Sequence, residues 1–136
     1  MGSQTGGLKL ILVDPDLEFA RSLISVAADQ SIKVDHYKNM SEIGYLGRFA
    51  DYDVAILNET LEKMTGLEIA EYFEKLLGNM PMILLQSNPQ QYERSTFPKS
   101  VVSFIDKLAG PEQVLLAAKN ANSTKMPIAK PGEQEI

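Results

Sequence analysis

The chain has 136 residues, of which 44% are hydrophobic and 23% are charged, and this is the size and composition of one globular domain rather than of a disordered protein. It contains no cysteine, which excludes a disulfide framework, thiolate catalysis and cysteine-ligated metal sites. Eighteen acidic and thirteen basic residues give a net charge of −5 without a basic stripe, so nucleic-acid binding is not expected, and no apolar run approaches the roughly 20 residues of a membrane-spanning helix.

The two ends of the chain differ in composition from the part between them. Residues 1–7 are polar and glycine-rich, which is typical of a flexible leader or an expression remnant, and they lack the basic and apolar regions of a secretory signal. Residues 122–136 contain Pro127 and Pro131, and prolines so close together are predicted to prevent a helix and leave a tail or linker. One domain is therefore predicted over residues 8–121, in a protein of the cytoplasm.

Short apolar runs alternate with segments of helical periodicity in this domain. Four of the runs are nearly continuous in apolar residues, which is typical of strands covered on both faces. The run that starts at Ile32 alternates apolar and polar residues and indicates a more exposed strand. The predicted strands are residues 8–13, 32–37, 53–57, 81–85 and 101–105.

Helix starts are indicated by capping residues in front of amphipathic stretches. Asp16 and Thr65 each precede such a stretch, and Pro111 stands at a favoured first helical position. Ser41 precedes a weaker stretch, because two glycines within it each cost about 1 kcal/mol relative to alanine. Residues 88–97 have room for at most two helical turns.

This alternation predicts an α/β fold, a flavodoxin-like doubly wound parallel sheet with helices on both faces. The strand order 2-1-3-4-5 is the common solution for five strands. Functional side chains of such sheets gather at the carboxyl ends of the strands, where the chain has polar residues. These residues are Asp14, Asn58, Gln86, Asp106 and Lys107.

Four motifs span these strand ends. They are ILVDPDLEFA at residues 11–20, YDVAILNETLEKMTGLEIAEYF at 52–73, PMILLQS at 81–87 and FIDK at 104–107. In order and spacing they resemble the CheY-like receiver domain, the phosphoacceptor module of bacterial response regulators. The resemblance covers about residues 8–121 and implies a role in two-component signal transduction or a phosphorelay.

The family's chemistry needs five side chains at the strand ends. Two adjacent acids after the first strand hold Mg²⁺, and an aspartate after the third strand attacks the phosphoryl group. A hydroxyl after the fourth strand and a lysine after the fifth contact the transferred group and spread its charge.

The chain departs from this pattern at the positions that carry the chemistry. Asp14 matches the first acid and Lys107 matches the lysine, but Pro15 replaces the second acid. Asn58 stands at the nucleophile position and Gln86 at the hydroxyl position, and a neutral amide is not a useful phosphoryl nucleophile. Asp14 and Lys107 are expected to form an ion pair instead, with hydrogen bonds from the two amides.

Three further residues are interpreted structurally. Asp16 is expected to cap a helix rather than to hold a metal ion. Leu108 stands where the family usually has a proline after the lysine. His36, the single histidine, lies in the second strand and is expected to sit away from the polar strand ends. The pattern therefore predicts no metal site, no cofactor and no enzymatic activity.

The resemblance and its departures imply a degenerate receiver, or pseudo-receiver, that transmits signals without phosphorylation. It would act by contact with a protein partner or an attached effector domain, with a homodimer as one form of that contact, and without nucleic-acid or membrane binding. Two alternatives stay open. One is a sensor that binds a small anion or nucleotide in the former phosphate pocket, and the other is a receiver phosphorylated on a displaced carboxylate such as Glu59 or Glu62.

In receivers, signals are read on the face formed by the fourth helical segment, the fifth strand and the last helix. In this chain that face, called the switch face below, contains Tyr92, Lys99 and Phe104 together with the outer side of the last helix. A contact with a partner or with a second copy is predicted there.

Overall fold

The computed structural model of the chain describes residues 7–44, 50–61, 64–77, 80–86 and 97–128. The strands are β1 (Lys9–Val13), β2 (Lys33–Tyr37), β3 (Val54–Asn58), β4 (Met82–Gln86) and β5 (Val101–Asp106). The helices are α1 (Leu17–Asp29), α2 (Met40–Ile43), α3 (Gly66–Leu77) and α4 (Pro111–Ile128), and a 3₁₀ turn (Lys107–Ala109) joins β5 to α4.

The five strands form one parallel sheet in the order β2-β1-β3-β4-β5, as predicted. Each predicted strand agrees with an observed one to within one residue at either end. β3 and β4 are buried at every position, whereas β2 and β5 form the edges and stay partly exposed. The doubly wound α/β prediction is confirmed.

Alternate residues of each strand point to opposite faces of the sheet and build two cores. Leu10 and Leu12 pack in a cluster with α1 and α4 on one face. Ile11 and Val13 pack on the other face in a cluster that includes Phe73 of α3. The helices therefore cover both faces, and every crossover brings the chain back so that the next strand ends at the same edge of the sheet.

Capping fixes the starts of α1 and α3. The side chain of Asp16 accepts a hydrogen bond from the backbone N–H of Phe19 at 3.1 Å. The Thr65 hydroxyl accepts from the Glu68 N–H at 3.2 Å, and the Glu68 carboxylate accepts from the Thr65 N–H at 2.9 Å. This reciprocal pair is a capping box, so both predicted helix starts are confirmed.

The ends of two helices differ from the prediction. α4 continues to Ile128, so the prediction that prolines prevent a helix from residue 122 onward is wrong for residues 122–128. Pro127 lies in the last turn that the structure describes, so the turns of α4 before residue 123 do not involve the backbone N–H that this proline lacks. α2 is a single turn that ends at Gly44, whose φ is +72°. The rest of the predicted weak helix and residues 88–96 lie outside the described residues.

No helix among the described residues combines the length and the apolar character needed to cross a membrane.

Candidate functional site

The carboxyl ends of the strands bring four of the predicted site residues to one edge of the sheet. Asp14 directly follows β1, Asn58 and Gln86 end β3 and β4, and Lys107 directly follows β5. Asp14 is fully buried, and Asn58 and Gln86 are 8% and 7% exposed. Three polar side chains are therefore removed from water at the carboxyl edge of the sheet.

Asp14 and Lys107 form the predicted ion pair. The Lys107 Nζ lies 2.7 Å from Asp14 Oδ2, and only 12% of the lysine side chain is exposed. The other oxygen, Asp14 Oδ1, accepts a hydrogen bond from the backbone N–H of Asp16 at 3.0 Å. Asp14 Oδ1 thus accepts a backbone hydrogen bond, while Oδ2 is matched by the lysine charge at ion-pair distance without hydrogen-bond geometry.

Asp16 adds a second carboxylate to the same lysine. Its Oδ2 lies 3.5 Å from the Lys107 Nζ while its Oδ1 caps α1. The hydrogen bond from the Phe19 N–H, and secondly the positive charge of Lys107, hold the pKa of Asp16 below its usual value. The ammonium also lies 5.4 Å from the centre of the Phe19 ring, a cation–π arrangement. Lys107 is thus fixed in place by α1 and the loop before it.

The two amides do not hydrogen-bond to this ion pair, which corrects the prediction. Asn58 Nδ2 donates to the backbone carbonyl of Thr60 at 2.8 Å, so the amide is turned towards its own loop. Within the described part of the chain, Asn58 Oδ1 and Gln86 Nε2 are buried and have no hydrogen-bond partner. The two amides thus leave one unmet acceptor and one unmet donor in the site.

His36 is the site residue that the sequence did not reveal. Its Nε2 lies 2.7 Å from the backbone carbonyl of Asp14 and must carry the proton, since a carbonyl only accepts. The prediction placed this side chain away from the strand ends, which is wrong. β1 and β2 are adjacent and in register with Leu12 beside His36, and this neighbour relation was the signal available in the sequence.

The residues present do not fit a Mg²⁺ site of the family's type. Mg²⁺ takes several oxygens in near-octahedral geometry, but the Asp14 carboxylate already binds an ammonium and an N–H, and Pro15 offers no ligand atom. In the described ranges, no three histidine, aspartate or glutamate side chains are placed together to hold a metal ion.

The switch face is described in part. Phe104 of β5 is half-buried and packs edge-on against Phe97, with ring centres 4.9 Å apart and planes at 83°. Lys99 is exposed, and Tyr92 lies outside the described residues. A groove of about 320 Å³ lies between β5 and α4. Its lining is uncharged and consists of Val102, Ser103, Ile105, Gln113, Leu116, Ala117, Asn120 and Ala121.

The fold resembles solved receiver domains. The chain matches the signal receiver domain of an HD domain-containing protein from Pseudomonas fluorescens Pf-5 with a TM-score of 0.78 and 15% identity, over 96% of this chain and 97% of the other. It matches a CheY-like receiver domain protein from Methanospirillum hungatei JF-1 with a TM-score of 0.74 and 18% identity, over 88% and 97%. The non-phosphorylated HemR receiver domain from Leptospira biflexa gives 0.72 and 22%, over 85% and 94%.

No protein-family model matches the chain, and no curated protein matches it in sequence. The three structural matches share the fold at low sequence identity, so the architecture is that of a receiver domain, while the chemistry has to be inferred from the residues of this chain.

Proposed function

We propose that the chain is a pseudo-receiver, a signal-transduction module that works by protein contact and without phosphorylation or enzymatic activity. The observation that carries the proposal is the buried ion pair between Asp14 and Lys107. In phosphoryl transfer these two charges serve the metal and the phosphoryl group, whereas here they neutralise each other at 2.7 Å. The lysine charge of the former phosphate pocket is thus matched by carboxylates of the chain itself.

The amide at the end of β3 supports the same conclusion. Asn58 has no carboxylate to attack phosphorus, and its Nδ2 is committed to the Thr60 carbonyl. Pro15 and Gln86 remove a metal ligand and a hydroxyl from the same pocket. Three independent requirements of the reaction are therefore missing, while the fold that presents the surrounding surface is retained.

Acetyl phosphate with Mg²⁺ is expected to leave the intact mass of the protein unchanged, because the nucleophile position holds the Asn58 amide and the Asp14 carboxylate is held in its ion pair with Lys107. Intact mass spectrometry measures this, with a phosphorylatable receiver domain as the positive control. An acid-labile gain of one phosphoryl group would contradict the proposal and favour a displaced carboxylate such as Glu59; Glu62, the other candidate, lies outside the described residues.

The switch face is proposed as a contact surface for a partner or a second copy. Phe104 is held against Phe97 in the structure, and the groove beside α4 presents a half-exposed Leu116 among uncharged residues. An uncharged groove lets two copies of an acidic chain approach without repulsion at the contact. One of the similar structures is a beryllofluoride-activated NtrC4 receiver domain dimer, with a TM-score of 0.74 and 16% identity.

Lys99→Glu and Tyr92→Ala are each expected to reduce the dimer fraction or the affinity for a partner. The melting temperature of Lys99→Glu is expected to stay near its original value, because Lys99 is exposed and such substitutions change stability by only about 0.5 kcal/mol. Analytical ultracentrifugation measures the dimer, and titration measures the partner. Arg21→Glu, an exposed change on α1, is the matched control. If that control abolishes the contact and the other two changes are silent, the switch face is the wrong surface.

A ligand sensor is a second candidate because of the two unsatisfied amide atoms. Asn58 Oδ1 and Gln86 Nε2 are buried acceptor and donor groups that one small polar ligand could satisfy together. A thermal-shift screen of small anions and nucleotides tests this function, since a ligand that binds only the native state raises its apparent stability.

A further inference from the structure

Three buried polar atoms of the former phosphate pocket lack a hydrogen-bond partner among the described residues. They are Asp14 Oδ2, Asn58 Oδ1 and Gln86 Nε2. All three side chains are more than nine-tenths buried, so surrounding water does not reach them freely. A buried donor or acceptor without a partner destabilises the folded state, and native proteins mostly satisfy such groups. Three of them at one edge of the sheet point to a bound group that satisfies them together.

The sheet brings these three atoms to neighbouring strands. Asp14 directly follows β1, while Asn58 ends β3 and Gln86 ends β4, and these three strands are adjacent in the order β1-β3-β4. Asn58 pairs with Leu85, so Gln86 lies one residue further along the next strand. Adjacent strands are about 4.8 Å apart, which is within the reach of one small ligand. The Asn58 Nδ2 is bonded to the Thr60 carbonyl, which leaves Oδ1 as the open atom of that amide.

The open atoms are two acceptors and one donor, and this set selects the chemistry of the ligand. A matching group needs two hydrogens to donate and one acceptor oxygen or nitrogen. A primary carboxamide carries all three on one planar group. Its two N–H bonds would donate to Asn58 Oδ1 and Asp14 Oδ2, and its carbonyl oxygen would accept from Gln86 Nε2.

The charges already present in the pocket select a neutral ligand. Lys107 Nζ lies 2.7 Å from the Asp14 carboxylate and 3.5 Å from the Asp16 carboxylate, so two negative groups face one positive group. A carboxylate ligand would add a third negative charge and has no hydrogen for the two open acceptors. An ammonium ion would supply hydrogens but no acceptor for Gln86 Nε2. A neutral amide matches the open atoms and leaves the ion pair intact.

We propose that the pocket binds a small neutral molecule through a primary carboxamide group, which is held by Asn58, Gln86 and Asp14. The proposal rests on the proposed function, in which this pocket is not phosphorylated, and it names the class of ligand that would regulate the module from the same pocket. Hydrogen-bond matching, rather than charge, selects this ligand.

Acetamide, the probe, is titrated into the ¹⁵N-labelled full chain and followed by NMR. The side-chain NH₂ signals of Gln86 and Asn58 are expected to shift in a saturable manner, because Gln86 Nε2 gains an acceptor and Asn58 Oδ1 gains a donor. The melting temperature is expected to rise with acetamide concentration, since the ligand binds the native state. Acetate, which is charged, and N,N-dimethylacetamide, which has no N–H, are expected to leave the signals and the melting temperature unchanged.

Gln86→Met removes the open donor and keeps an unbranched side chain of similar length. It is expected to weaken acetamide binding on the order of tenfold, because the ligand carbonyl loses its hydrogen bond. Without ligand the same variant is expected to melt at a higher temperature than the original chain, because a buried donor without a partner is removed. The matched control is Gln113→Met, which changes an exposed glutamine of the α4 groove and is expected to leave acetamide binding unchanged.

The inference is overturned if acetamide shifts neither side-chain signal, because the three atoms would then be assigned to bound water. It is also overturned if acetate gives the same shifts, or if Gln86→Met binds acetamide as tightly as the original chain. The comparison of acetamide with acetate uses the original chain and does not depend on the folding of any variant. Each of these outcomes leaves the proposed function standing, whereas a phosphoryl gain with acetyl phosphate would overturn that function whatever acetamide does.

Discussion

Lys107→Met is expected to lower the free energy of unfolding by about 3–5 kcal/mol at pH 7, the range observed when one partner of a buried ion pair is removed. Asp14 is fully buried, and among the described residues the substitution would leave its charge with only the Asp16 N–H as a partner. Methionine keeps the length of the aliphatic stem, so the loss comes from the charge rather than from packing. Urea unfolding measures the change through the shift of the midpoint.

The matched surface control is Lys99→Met, because Lys99 is exposed and its substitution is expected to change stability by no more than about 0.5 kcal/mol.

The double variant Asp14→Asn, Lys107→Met removes both charges and keeps an acceptor for the Asp16 N–H. It is expected to recover most of the loss, with a remaining deficit of about 1–2 kcal/mol. If Lys107→Met alone were neutral, the pocket would be hydrated and open, and the ligand-sensor function would be favoured.

The fold could be predicted because the apolar patterns and capping residues of each segment agree with the place of that segment in the sheet. The runs at β3 and β4 are apolar in sequence and buried at every position in the structure. The alternating run at β2 is the partly exposed edge strand that it predicts. Asp16 and Thr65 are short-range capping signals that do not depend on distant residues. Periodicity and capping together therefore fixed element type and order.

The remaining parts of the site depend on contacts between distant segments. The hydrogen bond from His36 to the Asp14 carbonyl joins residues 22 positions apart, and the contact between Asp16 and Lys107 joins the first and last loops of the sheet. Neither contact follows from the spacing of apolar residues along the sequence. The hydrogen bond of Asn58 depends on its loop, which places the Thr60 carbonyl 2.8 Å from the Asn58 Nδ2. These features depend on three-dimensional contacts that no local sequence pattern reports.

Asn58→Asp is expected to destabilise the protein by about 3 kcal/mol at pH 7, because it buries a second carboxylate beside Asp14 while one lysine is already shared with Asp16. The substitution also replaces the Nδ2 donor with an oxygen that faces the Thr60 carbonyl. Restoring the family's nucleophile by this single change is therefore expected to cost stability without restoring phosphorylation, since Pro15 and Gln86 remain.

The pH dependence of that loss identifies its cause. Burial and the charge of Asp14 would raise the pKa of the introduced carboxyl in the folded state above its unfolded value of about 3.9. Because the pKa of this carboxyl is higher in the folded state, the loss of unfolding free energy is largest above the folded-state pKa. The loss disappears as pH falls through that pKa towards the pKa of the unfolded state. In its protonated form the new carboxyl can also donate to the Thr60 carbonyl.

Urea unfolding from pH 7 to pH 5 is expected to show that the stability loss of Asn58→Asp shrinks. Asn58→Leu, an uncharged control, is expected to keep a constant stability loss over the same range. A variant that matches the original stability at pH 7 and gains phosphoryl mass would mean that a single amide blocks the chemistry and that the ion pair does not close the pocket.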